Sequence, residues 1–98
     1  MIQNRLPAVH PGEYLGEILE ELHLTPAGLA GSIGVPETRI THILAGEARV
    51  TAALALRLGR ALEQTPQYWL NLQADFDLKT AEARMGARLA SIHSLVSA

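Results

Sequence analysis

The chain contains no cysteine, so neither a disulfide nor thiolate chemistry is open to it, and a reducing cytoplasm is compatible with that absence. Aromatic residues are scarce, with one Trp, two Tyr and one Phe, so a core must be built from aliphatic side chains. β-Branched runs are missing while Leu and Ala dominate, which favours helix over sheet. The opening "MIQNRLPAV" has no apolar run long enough for a signal peptide, and no segment approaches a membrane span. The expectation is a soluble, cytoplasmic protein with no membrane partner. Catalytic signatures are absent as well: no His-Glu-x-x-His, no glycine-rich phosphate loop, no nucleophile elbow. His10, His23, His42 and His93 are scattered too widely along the sequence to suggest a metal site. Ser91, His93 and Ser94 lack an orienting acid nearby. The sequence reads as that of a non-enzyme without metal or cofactor.

What is present fits one domain, because 98 residues can bury a single core and no more. The formal charge of −2 argues against a generic nucleic-acid coat, but it averages two unlike regions. Between His10 and Leu24 stand Glu13, Glu17, Glu20 and Glu21 with no Lys or Arg. Between Pro36 and Arg60 stand Arg39, Arg49, Arg57 and Arg60 against Glu37 and Glu47. A modest local positive patch of this kind suits a duplex-binding face, and it equally suits a solvated helix surface.

Periodicity divides the chain into short helices. Residues 1–9 form an arm. "HPGEYLGEILEELHL" is a first helix, with Pro11 at its start and Leu15, Ile18, Leu19 and Leu22 as its apolar stripe. "LTPAGLAGSIGV" is a second, capped by Thr25 before Pro26, burying Leu29, Ala30 and Ile33 and closing on Gly34. A third runs from about Pro36 to Ala45, with Ile40, Ile43 and Leu44 inward and Thr38, Arg39, Thr41 and His42 outward. Thr51 caps a fourth through Leu62, buried along Leu54, Ala55, Leu58 and Leu62. Thr65-Pro66 opens a fifth, "PQYWLNLQADFDL". Thr80 to about Val96 is again helix-like, with a stripe at Met85, Leu89, Ile92 and Val96 flanked by Arg84 and Arg88. Trp69 reads as a core residue pinning the fifth helix, and Asn71 and Gln73 as makers of helix-edge hydrogen bonds. The fold class is all-α.

Helices two and three with the turn Gly34-Val35-Pro36 make a helix-turn-helix. Gly34 supplies the unusual backbone of the turn and Val35 plugs the angle between the helices. The major groove, about 12 Å wide, admits one helix whose first turns touch base edges. Arg39 can bond guanine O6 and N7 bidentately, Thr38 and Thr41 can meet bases or phosphates, and His42 can reach either. Glu37 and Arg49 flank these candidate DNA contacts. Read from spacing alone, the same hairpin also fits an ordinary bundle.

From Thr51 onward the sequence resembles the HigA group of antitoxins among the Xre-type, λ-repressor-like regulators. The resemblance rests on Thr51-Ala52, Ala55-Leu56-Arg57-Leu58, Ala61-Leu62, Pro66, Trp69-Leu70-Asn71-Leu72-Gln73 and Asp77-Leu78. His10-Pro11-Gly12-Glu13 and Arg39-Ile40 extend it to most of the chain. It implies a λ-repressor-like helix-turn-helix domain of five helices over residues 10–78, followed by a C-terminal helix over residues 79–98. It further implies a homodimer that binds palindromic operator DNA, represses its own operon and neutralises a ribonuclease toxin of the HigB type, which resembles RelE. The stripe Met85, Leu89, Ile92 and Val96 then fits a dimer or toxin contact, or a helix folded back on the core. The helix-one glutamates fit a solvated face or an attractor for a basic toxin.

Two departures stand out. Many relatives begin helix two with a phosphate-holding Gln where this chain has Pro26, and a basic loop where it has Ala45-Gly46-Glu47-Ala48 with Arg49 the only base. Losing such contacts implies modest affinity and a shallow salt dependence. A stand-alone Xre-type regulator without a toxin, and a protein-binding module with weakened DNA binding, are the alternatives.

Overall fold

The computed structural model describes residues 7–96. Most of the N-terminal arm read over residues 1–9 therefore lies outside the described residues. Six helices follow: α1 Pro11–Leu22, α2 Pro26–Ile33, α3 Glu37–Leu44, α4 Ala52–Leu62, α5 Pro66–Met85 and α6 Ala87–Ala90. There is no strand among the described residues.

The helix starts are set by side-chain caps. Thr25, Thr51 and Thr65 each accept, through Oγ1, the N–H of the residue three positions on: Gly28 at 3.0 Å, Leu54 at 3.2 Å and Tyr68 at 3.3 Å. Caps of this type contribute roughly 0.5–2 kcal/mol each. His10 does the same work for α1, its Nδ1 accepting the Gly12 N–H at 2.9 Å, with Pro11 at the first helical position. The opening His-Pro-Gly-Glu is thus an N-terminal capping device, with Glu13 placed where the helix dipole favours an acid.

The core is aliphatic as expected: Leu15, Leu19, Leu29, Ala30, Ile33, Ile40, Ile43, Val50, Leu54, Ala55 and Leu58 surround the fully buried Trp69. Leu44, Ile18 and Leu62 pack against it half-buried. Leu22 does not join them. The chain reverses at His23 in the left-handed region, Leu24 N–H returns to Leu19 C=O, and Leu22 is left exposed.

The C-terminal third departs from the periodicity reading. No Gly or Pro interrupts residues 67–85, so the fifth helix does not stop at Leu78 but continues to Met85, some 30 Å in all. Gly86, at φ 51° and ψ −122°, breaks it where only glycine is at ease. The four residues of α6 follow, and residues 91–96 are not helical. Met85, Leu89, Ile92 and Val96 therefore do not line one helix, and all four are exposed. A C-terminal helix folded back on the core is ruled out for the single chain, because every residue from 81 to 96 is exposed. The molecule is accordingly 52 Å long and 22 Å across in both other directions.

Among the described glycines, Gly12 makes the closest backbone approach, joining α1 to the end of α3. A Cβ built on Gly12 would sit 1.9 Å from the Ile43 carbonyl oxygen, a backbone atom that cannot swing aside. At Gly16, one turn on, the nearest such neighbour is the Leu44 Cδ2 at 3.8 Å, ordinary contact. Gly12→Ala should therefore destabilise the fold by about 1–3 kcal/mol in denaturant titration. Gly16→Ala should stabilise it by up to about 1 kcal/mol. Equal effects at the two positions would contradict this packing.

Candidate nucleic-acid interface

The helix-turn-helix is built as its residues require. Gly34 closes α2 at φ 74°, its N–H and that of Val35 both returning to the Ala30 carbonyl. Arg57 of α4 donates to the Ile33 carbonyl, satisfying another free acceptor at the end of α2. Val35 is half-buried against the core, which fixes the angle between the two helices. Pro36 then starts α3 without a side-chain cap.

On α3 the two faces separate cleanly. Ile40 and Ile43 are wholly buried, while Glu37, Thr38, Arg39 and His42 are exposed. Thr41 is half-buried, and its hydroxyl donates to the Thr38 carbonyl at 3.1 Å. It therefore offers outward only lone pairs and a methyl group. Arg39 Nη2 donates to Thr51 Oγ1 at 3.3 Å, the same oxygen that caps α4. This contact lays the loop exit beside the outer face of α3.

The positive segment seen in the sequence is largely engaged within the fold. Arg57 caps α2, Arg39 leans on Thr51, and Arg49 forms an ion pair with Asp77 of α5 at 2.8 Å. The hydrogen bond from Arg49, with that from Gln73, holds the Asp77 carboxyl below its ordinary pKa, although partial burial works the other way.

Sequence reasoning missed the network behind that pair. Gln73 is not at a helix edge but is buried: its Oε1 accepts the Val50 N–H at 2.8 Å and its Nε2 donates to Asp77 Oδ1 at 3.0 Å. Phe76 beside it meets the His10 ring edge-to-face at 4.9 Å. The available signal was the i, i+3, i+4 spacing of Gln73, Phe76 and Asp77, hidden because two of the three are polar. Asn71 does make the edge bond expected of it, accepting from Gln67 Nε2 at 3.1 Å. Trp69 is core, with Nε1 donating to Gln64 Oε1 at 2.7 Å. No group of three or more His, Cys, Asp or Glu among the described residues could hold a metal ion, and no helix there is long and apolar enough to cross a membrane.

No protein-family model matches the chain. A solved structure does: an addiction module antidote protein of a HigA family from Coxiella burnetii is 36% identical, superposes with a TM-score of 0.89, and is matched over 93% of this chain and 100% of its own. This chain belongs to the HigA family of helix-turn-helix antitoxins. A second HigA structure, the Pseudomonas aeruginosa antitoxin solved with the higBA promoter, is 35% identical with a TM-score of 0.86, over 91% of this chain and 99% of that one. Virulence-associated protein I of Dichelobacter nodosus is 42% identical over 81 residues, 82% of this chain and 75% of that protein. The HigA resemblance of the tryptophan-centred run now has a physical content. Trp69 anchors α5, Gln73 ties it to Val50, and Asp77 reaches Arg49.

The ion pair has a pH signature. Asp77 has a depressed pKa in the folded chain, so its contribution is present above the unfolded pKa and is lost as pH falls through the folded one. Both partners are exposed and screened, which limits the contribution to about 1 kcal/mol or less. Stability measured against pH should show wild type above Asp77→Asn at neutral pH and the two curves converging in acid. Curves that stay parallel throughout would show that the pair contributes nothing.

Proposed function

We propose that this HigA-family protein is the antitoxin of a two-gene module. It neutralises a ribonuclease toxin of the HigB/RelE type and represses its own operon in the cytoplasm by binding palindromic operator DNA as a homodimer. The observation that carries the DNA half is the separation of faces on α3, with Ile40 and Ile43 buried and Thr38, Arg39 and His42 exposed around one full charge. A 35%-identical relative solved with promoter DNA supports the same reading.

In this reading α3 lies in the major groove. Arg39 leaves Thr51 to bond guanine O6 and N7, Thr38 meets a base or phosphate, and Thr41 packs its methyl on thymine. His42 reaches a phosphate or base, and Glu37, at the groove end of the helix, accepts from cytosine N4. Arg49 stands apart from this set because Asp77 holds it. Two such helices, related by a two-fold axis, require an operator of matching symmetry. The exposed C-terminal limb with Met85, Leu89, Ile92 and Val96 serves as the dimer or toxin contact, since these apolar groups stay exposed in the single chain.

One observation favours a second reading, a protein-binding module with weakened DNA binding: three of the four arginines around α3 and α4 are already bonded within the fold. A gel-shift on the upstream region separates the two. Wild type should give a specific shift at low salt, and Arg39→Ala should weaken it by roughly 5- to 150-fold per half-site. The salt slope should be shallow, about −2 to −4 for a dimer, since each neutralised phosphate contributes about 0.9. No specific shift at low salt sinks operator binding. Co-expression with the neighbouring toxin gene, scored as rescue from growth arrest, tests the other half.

A further inference from the structure

We infer that Asp77 withholds Arg49 from DNA, acting as a built-in substitute for phosphate that lowers operator affinity from outside the recognition helix. The inference rests on the DNA-binding reading above.

Arg49 is the only Lys or Arg between the end of α3 and the start of α4. Two residues on, Thr51 accepts from Arg39, so Arg49 sits on a loop lying against the outer side of α3. A basic side chain there would neutralise a phosphate flanking the groove. Its guanidinium is instead bonded to a carboxylate at 2.8 Å, and that oxygen offers the same charge-assisted acceptor a phosphate would.

The competition is unequal in how the partners are held. Asp77 is fixed on both sides, with Oδ2 on Arg49 and Oδ1 on Gln73 Nε2. Gln73 is buried and bonded in turn to the Val50 backbone N–H, one residue from Arg49 itself. The carboxylate is therefore aimed by the core, while Arg49 is a long arm on a loop. Both groups are exposed, 62% and 40%, so the pair meets solvent and is open to exchange with an incoming anion. Exposed pairs are individually weak, which places the effect at a few-fold in affinity. Asp77 tunes the grip without abolishing it, and because it lies on α5, the helix that carries the projecting limb, anything that shifts α5 also shifts the availability of Arg49.

The test is operator binding by fluorescence anisotropy across a salt series, with thermal melts of each variant. Asp77→Asn and Asp77→Ala should each bind about fivefold tighter per half-site, with the salt slope steeper by about one per half-site. Asp75→Asn makes the same charge change at an exposed α5 position with no bond to Arg49, and should gain much less. Asp77→Glu should stay near wild type. Arg49→Ala should be nearly silent in wild type but should erase the gain in the Asp77→Asn background. A merely structural Asp77 would move the melts and leave the slope and the double variant unaffected. The inference is overturned if wild type binds specifically and neither neutral variant gains over Asp75→Asn. It is also overturned if Arg49→Ala costs wild type as much as it costs Asp77→Asn. Absence of specific binding by every variant overturns the DNA-binding reading and this inference together.

Discussion

The buried side chain of Gln73 is the constraint on which the presentation of α3 depends. The loop joining α3 to α4 must bring Val50 into the core, and that buries a backbone N–H with no helix to satisfy it. Left unpaired, such a donor costs about 1–3 kcal/mol. Gln73 supplies the acceptor from α5, and Trp69, one turn earlier, fills the core beside it and fixes α5 in register. The loop is therefore anchored at Val50, and α3 inherits its position from three attachments: Ile40 and Ile43 in the core, Gly12 against the Ile43 carbonyl, and the Val50 anchor.

This arrangement gives arginines that the sequence shows only as charges a structural partner within the fold, although only Arg49 is neutralised by an acid. Arginines in this chain serve as helix caps and loop ties as well as surface charges. Arg57 terminates α2 and Arg49 completes the loop-to-α5 tie. A count of charges along the chain cannot distinguish a guanidinium facing water from one facing a carbonyl. In the proposed reading, the grip on DNA centres on Arg39 and the short polar side chains next to it.

Much of the fold was legible because its signals are local. The Thr-before-Pro pairs at Thr25-Pro26 and Thr65-Pro66 mark helix starts wherever the chain goes afterwards, and Gly34 marks the turn by its backbone alone. The inward face of α3 followed from the spacing of Ile40 and Ile43. What was not legible depended on contacts distant in sequence. Gln73 and Asp77 look like solvated polar residues until Val50 and Arg49, more than twenty positions away, are brought beside them. The apolar stripe near the C-terminus misled for a different reason. Its spacing is helical, but Gly86 sits inside it and breaks the helix.

Amide hydrogen exchange at Val50 tests this account most directly. If Gln73 anchors the loop to the core, the Val50 amide should exchange only through global unfolding, with protection matching that of the most protected α4 amides. Exchange at the rate of an unprotected loop amide would contradict it, since α3 would then be presented by a loop free to move.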